Sequence, residues 1–391
     1  MPETDAVPLA ELTTTRVGGV PERIVTATTQ RDLVDTALAV WESGGELLVL
    51  GGGSNLLVGD EPLAATVLRV ATRGIEVLPD APEGTVRLRV QAGEPWDGLV
   101  AQAVRNGWAG LEALSGIPGQ VGAAPMQNIG AYGQEVSSVL TAIELLDYDT
   151  GEVERVPAAE LGLGYRTSTL KQGRAGVVIS VELSLHDAAA EREVLGEALG
   201  RPVEYAQLAS TLGVQLGDRV PIAAVRDAVL ALRASKGMVL NVDDHDTWST
   251  GSFFTNPIVR ESFARELPAD APRWPMTPEE PDVIEPLNRP DLDPWQAAQE
   301  ALAAPVVIAS TEPRLVKLSA AWLIERAGIR RGFALPGSKA AISSKHTLAI
   351  TNRGGATAAE IGQLARFVQQ RVQAEFGIIL QPEPVIVGVE L

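Results

Sequence analysis

Between Leu114 and Tyr132 the chain follows no regular periodicity. The run Ser115-Gly116-Ile117-Pro118-Gly119-Gln120-Val121-Gly122-Ala123-Ala124-Pro125-Met126-Gln127-Asn128-Ile129-Gly130-Ala131-Tyr132-Gly133 fits neither the helical nor the strand repeat. A stretch this long without secondary structure inside a compact domain is usually functional. Each glycine loses about 1 kcal/mol of backbone freedom on folding. Several together therefore point to a backbone that must approach something closely. That something is a long, flat, phosphorylated ligand or, alternatively, the loop's own packing as a compact Ω-loop.

The flanking segments read as alternating strand and helix. Ile24 to Ala27 is a strand, and a helix opening at Gln30-Arg31-Asp32 carries Leu33, Ala37 and Val40 on one face. The strand Glu46 to Leu50 runs into Gly51-Gly52-Gly53-Ser54-Asn55-Leu56-Leu57. That turn can present backbone amides to an anion, but it is not the GxGxxG fingerprint of a dinucleotide fold. Val86 to Val90 alternates as a strand, and Trp96 to Asn106 reads as a helix ended by Gly107. Beyond the loop, Ala142 to Tyr148 and Val177 to Leu185 read as antiparallel strands, followed by a helix from Pro221 to Ser235. A third region starts near Gly237 and holds an acidic, Pro-rich stretch from Pro268 to Pro294, expected to be an extended surface insertion. Helices at Ser319 to Ala327 and Thr357 to Glu375 and a last strand at Pro384 to Val389 follow. The class is α+β.

Length and charge narrow the functions open to such a chain. Its 391 residues suggest two or three domains. Fifty acidic against 32 basic residues give a net charge of −18, which argues against nucleic acid or anionic membrane as a partner. There is no cysteine, so thiolate catalysis and cysteine-ligated metals are excluded, and three histidines are too few for a histidine cage. No metal is expected. Met1 to Leu12 lacks the apolar core of a signal peptide, and no apolar run is long enough to span a bilayer. A cytoplasmic protein is expected.

Taken together in order, Gly51-Gly52-Gly53-Ser54-Asn55, Ser115-Gly116-Ile117-Pro118-Gly119 and Gln127-Asn128-Ile129-Gly130-Ala131-Tyr132-Gly133 resemble the UDP-N-acetylenolpyruvoylglucosamine reductase (MurB) family. Gly164-Tyr165-Arg166-Thr167-Ser168, Gly251-Ser252-Phe253-Phe254-Thr255-Asn256-Pro257 and Leu380-Gln381-Pro382-Glu383 extend the match over nearly the whole chain. The resemblance implies a two-part FAD-binding domain of the vanillyl-alcohol-oxidase type and a C-terminal α+β substrate-binding domain. Residues 1–74 joined by 376–391 would form the first FAD subdomain, 75–236 the second, and 237–375 the substrate domain.

It also implies non-covalent FAD, with NADPH as co-substrate and UDP-N-acetylglucosamine enolpyruvate as substrate. Gly51, Gly52, Gly53, Ser54, Asn55 and Leu56 would hold the pyrophosphate. Ser115, Gly116, Ile117, Pro118, Gly119, Gly122, Ala123, Asn128, Gly130, Ala131, Tyr132 and Gly133, with Ile179 and Arg233, would line the rest of the flavin. By the same carry-over Ser252 donates a proton from the side opposite the flavin, Arg166 holds the substrate carboxylate, and Glu383 shares a proton with the enediolate. Tyr132, Tyr205, Lys236, Asn256 and Lys317 would touch the nucleotide sugar, Tyr205 from a loop found in one subtype of the family.

Two positions depart from the family pattern: Gln381 stands where glutamate is common, and Val385 where arginine is. Other readings remain open. An oxidase or dehydrogenase of alcohols or sugars on the same fold would explain the glycine loops. A non-catalytic flavin or nucleotide-sugar binding module would not need Ser252. A monomer is expected.

Overall fold

A computed structural model describes residues 3–4, 6–276 and 314–391. The first sheet orders the strands Glu3–Thr4, Pro21–Ala27, Leu63–Val70 and Leu47–Leu50, the last three parallel. Helix Gln30–Glu42 makes the crossover between Pro21–Ala27 and Leu47–Leu50. Thr29 caps it, its hydroxyl accepting from the Asp32 amide at 3.1 Å, and Leu33, Thr36, Ala37 and Val40 are its buried face.

The second sheet is antiparallel: Val153–Pro157, Leu140–Asp147, Gly176–Asp187, Thr85–Gln91 and Ile75–Leu78, with Trp108–Ala109 paired to the end of the central strand Gly176–Asp187. Helix Trp96–Asn106 packs its Trp96, Leu99, Val100 and Ala103 into the core. It stops where Gly107 takes the left-handed conformation at φ 80°. One hydrophobic core runs from the first sheet (Leu68, Val70) through both helices to the second (Val90, Val181).

A second core gathers Phe253, Phe254, Leu318, Leu323, Ile342, Ile361 and Leu364. It lies under the three-stranded sheet Ile258–Arg260, Leu315–Leu318, Arg273–Pro275, the hairpin Ala340–Ile342 and Ile350–Asn352, and helix Ala358–Phe376. Thr357 and Glu360 form a capping box at the start of that helix, and Gly377 ends it. Asp60, far away in sequence, also accepts from the amides of Ala358 at 2.9 Å and Ala359 at 3.2 Å. Val17 and Leu57 belong to this second core. The last strand, Val385–Val387, returns to pair in parallel with Leu56–Val58.

At the start of the Pro-rich stretch, Arg273–Pro275 is an extended edge strand hydrogen-bonded to Leu315–Leu318, with Trp274 exposed. The part of the stretch from 277 to 294 lies outside the described residues.

Candidate active site

The two glycine segments meet. Gly52 lies so close to Gly119 that a Cβ there would stand 2.8 Å from the Gly119 Cα. Gly53 has φ +59°, and a Cβ on it would fall 2.1 Å from the Leu12 carbonyl oxygen. The glycines therefore serve loop-against-loop packing as well as leaving backbone amides open for a ligand. Gly53→Ala is expected to cost about 1–3 kcal/mol of stability through backbone overpacking. Thermal melting with and without added FAD reads this loss.

Several side chains on these loops are already engaged within the protein. Ser54 Oγ donates to the Pro118 carbonyl at 2.9 Å. Ser115 Oγ accepts from Arg226 at 3.0 Å and donates to Glu112 O at 2.7 Å. The Gly116 amide donates to Asp97, whose carboxyl is held below its usual range by its pairing with Arg226. Asn128 uses its whole carboxamide on Glu135, Gly164 O and the Ser137 amide. Ile179 is buried in the central strand, its carbonyl accepting from the Ala92 amide at 3.0 Å, and Gly122 donates to Ala92 O at 2.9 Å.

Other groups wait for a partner. Among the described residues, the consecutive amides of Gly52, Gly53, Ser54 and Asn55 donate to no protein acceptor. Such a nest suits a pyrophosphate. Arg233 is buried beside Gly116 and donates from Nη2 to Met238 O at 3.0 Å, while its buried Nε has no partner. Burial pulls its proton affinity down. A buried cation with an unmet donor fits the polar edge of a flavin ring. These features match FAD.

Tyr132 and Gly133 form the turn of a hairpin between Gly130–Ala131 and Gln134–Glu135, both with positive φ (50° and 90°). Asn128 (φ 45°) and Arg166 (φ 54°) share this uncommon conformation. Bulky residues held in the left-handed region gather at functional sites. The Tyr132 ring meets Tyr205 edge-on at 5.7 Å, and Lys236 Nζ lies 5.4 Å from its centroid while donating to Gln207 at 2.9 Å. Burial raises the Tyr132 hydroxyl above its ordinary range and lowers the Lys236 ammonium.

The chemistry converges on Arg166 and Glu383. The Arg166 guanidinium donates to Gly130 O at 2.6 Å and Asn128 O at 3.4 Å, and its Nε stands 3.4 Å from Glu383 Oε1. Despite that cation, burial holds the Glu383 carboxyl above its usual range; Arg166, Lys171 and Gln127 pull the other way and lose. Phe253 O accepts from the Glu383 amide at 2.8 Å, and the Thr255 amide donates to Gln381 O at 3.0 Å. This antiparallel pairing bonds Glu383 to Phe253, the residue that follows Ser252. Among the described residues the Ser252 hydroxyl has no hydrogen-bond partner, and a Cβ on the preceding Gly251 would meet only open space.

Asn256 and Lys317 join the same centre. The Asn256 amide donates to the Tyr165 hydroxyl at 3.3 Å, its Oδ1 accepts from the Ala320 amide at 2.9 Å, and Lys317 Nζ stands 4.9 Å from the Tyr165 ring centroid. A cavity of about 810 Å³ adjoins them, lined by Tyr165, Arg166, Lys171, Asn256 and Arg260 among others. Two participants escape sequence reading. Gln127 donates to Glu383 Oε1 at 3.2 Å, and Lys171 donates to Glu383 O at 3.1 Å. Gln127 stands inside a recognisable motif but carries no charge to attract notice. Lys171 follows Ser168 by three positions, the one available cue.

A nest of open amides, a buried arginine with an unmet Nε and the Arg166–Glu383 pair fit a flavin-dependent oxidoreductase. Residues 21–157 match the FAD binding domain family, and residues 243–387 match the C-terminal domain of UDP-N-acetylenolpyruvoylglucosamine reductase. The chain is 60% identical to the UDP-N-acetylenolpyruvoylglucosamine reductase of Leifsonia xyli subsp. xyli, over 99% of this chain and 100% of that one. It is 47% identical to that of Saccharopolyspora erythraea, over 98% and 95%. The crystal structure of MurB from Thermus caldophilus superposes with a TM-score of 0.60 at 25% identity, covering 99% of each chain. The chain belongs to the UDP-N-acetylenolpyruvoylglucosamine reductase (MurB) family.

Proposed function

We propose that this chain reduces UDP-N-acetylglucosamine enolpyruvate to UDP-N-acetylmuramate with NADPH, a step of peptidoglycan precursor synthesis. The observation that carries the roles is the half-buried Arg166–Glu383 pair, the Glu383 amide bonded to the residue after Ser252, whose hydroxyl has no partner among the described residues. Bound FAD supplies the chemistry of accepting a hydride from NADPH and giving it to the enolpyruvyl double bond. The free amides from Gly52 to Asn55 hold its pyrophosphate, and Arg233 meets its ring.

Hydride addition at the terminal carbon places charge on the α-carbon and carboxylate of the substrate. Arg166 holds that carboxylate with a preorganised cation. Glu383, its proton affinity raised by burial, shares a hydrogen bond with the same developing charge. Ser252 Oγ gives its proton to the α-carbon and recovers one from solvent. Tyr205, Lys236, Asn256 and Lys317 bind the nucleotide sugar. Tyr205 is 44% exposed and packs on Tyr132, so Tyr205→Ala is expected to raise the KM for the enolpyruvate by about tenfold with a smaller change in kcat. Steady-state kinetics at saturating NADPH measure that split.

An anaerobic absorbance titration tests the function. The yellow holoprotein bleaches with NADPH and recolours with UDP-N-acetylglucosamine enolpyruvate. Bleaching without recolouring would favour an oxidase or dehydrogenase of other substrates, and a protein that takes up no FAD would overturn the reading. A monomer suits a site whose named residues all come from one chain; a solution mass of twice 41.2 kDa would overturn it. No helix among the described residues is long and apolar enough to cross a membrane, and a cytoplasmic location belongs to the same proposal.

A further inference from the structure

The carboxamide of Gln127 has only one orientation that its neighbours allow. Its Oε1 faces Asn55 Nδ2 at 2.9 Å and Lys171 Nζ at 3.3 Å. An ammonium donates and never accepts, so the atom facing Lys171 must be the oxygen. The amide nitrogen is thereby turned to Glu383, donating to Oε1 at 3.2 Å. Asn55 and Lys171 also donate to the Glu383 main-chain oxygen, at 3.4 and 3.1 Å. Arg166 Nε stands 3.4 Å from the same Oε1. A hydrogen on Oε1 would confront these N–H groups, whereas Oε2 has no hydrogen-bond donor on it among the described residues.

We infer that Gln127 is a positioning residue which, locked by Asn55 and Lys171, confines the Glu383 proton to Oε2, the oxygen left for substrate. The inference rests on the proposed role of Glu383 as a protonated partner of the enediolate. It gives Asn55 a task beyond the nucleotide loop. Its side chain joins the turn after Leu47–Leu50 to the acid, while Lys171 joins the Arg166 turn to it. The groups facing Glu383 are Arg166, Lys171, Tyr165 and the neutral Gln127. Gln127 and the two cations favour the carboxylate, and burial favours the acid. Removing the Gln127 donor therefore raises the proton affinity of Glu383 further. A rate that needs the protonated form then persists to higher pH.

The test follows the two half-reactions of the FAD-loaded, full-length enzyme by anaerobic stopped flow. Gln127→Met keeps the length and loses the donor. Reoxidation by UDP-N-acetylglucosamine enolpyruvate is expected to slow by about 10- to 100-fold, with reduction by NADPH within about twofold of the native rate. The alkaline limb of the reoxidation profile moves to higher pH, and the half-saturating substrate concentration stays put. Lys171→Met moves the same readouts in the same direction, and Lys171→Arg restores them because a guanidinium donates to the same oxygens. If Gln127→Met does not fold, judged by melting and flavin content, the lysine pair decides.

Native reoxidation with an unmoved alkaline limb in Gln127→Met overturns the inference, as does an equal fall in both half-reactions. Glu383→Gln separates the two failures. Slow reoxidation there with a native Gln127→Met condemns the positioning claim alone. Native reoxidation in Glu383→Gln removes the role of Glu383, and this inference with it.

Discussion

Ser252→Ala protein is expected to remain yellow as purified, to bleach with NADPH at the native rate, and to stay bleached when UDP-N-acetylglucosamine enolpyruvate is added. General acid catalysis by one positioned group is worth about 10²–10⁴-fold, and reoxidation should slow by that factor. The selectivity of the effect follows from position. Ser252 belongs to the segment paired with Gln381 to Glu383, and its hydroxyl supports nothing else in the described structure. Its loss removes a proton without removing a contact of the flavin loops. Native reoxidation by this variant would exclude Ser252 as the donor. Loss of both half-reactions would place the serine in flavin binding instead.

Arg166→Met should slow reoxidation by about 10²–10³-fold, the scale of removing one preorganised partner of a developing anion. Two consequences accompany the loss. The carbonyls of Gly130 and Asn128 lose their donor, so the hairpin carrying Tyr132 loosens. Glu383 also loses the cation that most opposes burial, and its proton affinity rises further. The alkaline limb of any residual activity therefore moves to higher pH, never lower. Arg166→Lys should recover only a small part, since an ammonium cannot span Gly130 O, Asn128 O and Glu383 in one plane. Native rates in Arg166→Met, or an alkaline limb displaced downward, would refute this account.

Much of this could be read from the residues because local chemistry fixed it. Helix Trp96–Asn106 starts after Pro95 and ends at a left-handed Gly107, and both signals are printed in the chain. Helix Ala358–Phe376 is announced by Thr357 and Glu360. Strand Leu63–Val70 escaped because Leu-Ala-Ala-Thr-Val lacks alternation; its place is decided by two parallel neighbours that only the tertiary fold supplies. The short helices Ala189–Leu195 and Ala206–Leu212 around Tyr205 are two turns each, too brief for periodicity to register. The residue types of Arg166, Ser252 and Glu383 were visible in their motifs. The partners of Glu383 were not, because Gln127 and Asn55 reach it across 256 and 328 positions.

The parallel ladder between Leu56–Val58 and Val385–Val387 has a consequence for how the protein comes into being. Translation delivers the nucleotide turn early and Glu383 some 328 positions after Asn55. A nascent chain can thus complete the loops that greet the nucleotide while the acid is still unmade. On the role proposed for Glu383, reductive power toward the enolpyruvate appears only when residues 385–387 lie down beside 56–58 and carry Glu383 into place. Catalytic competence is in this sense a late checkpoint of synthesis. A chain interrupted before residue 383 would hold the recognition loops without that acid.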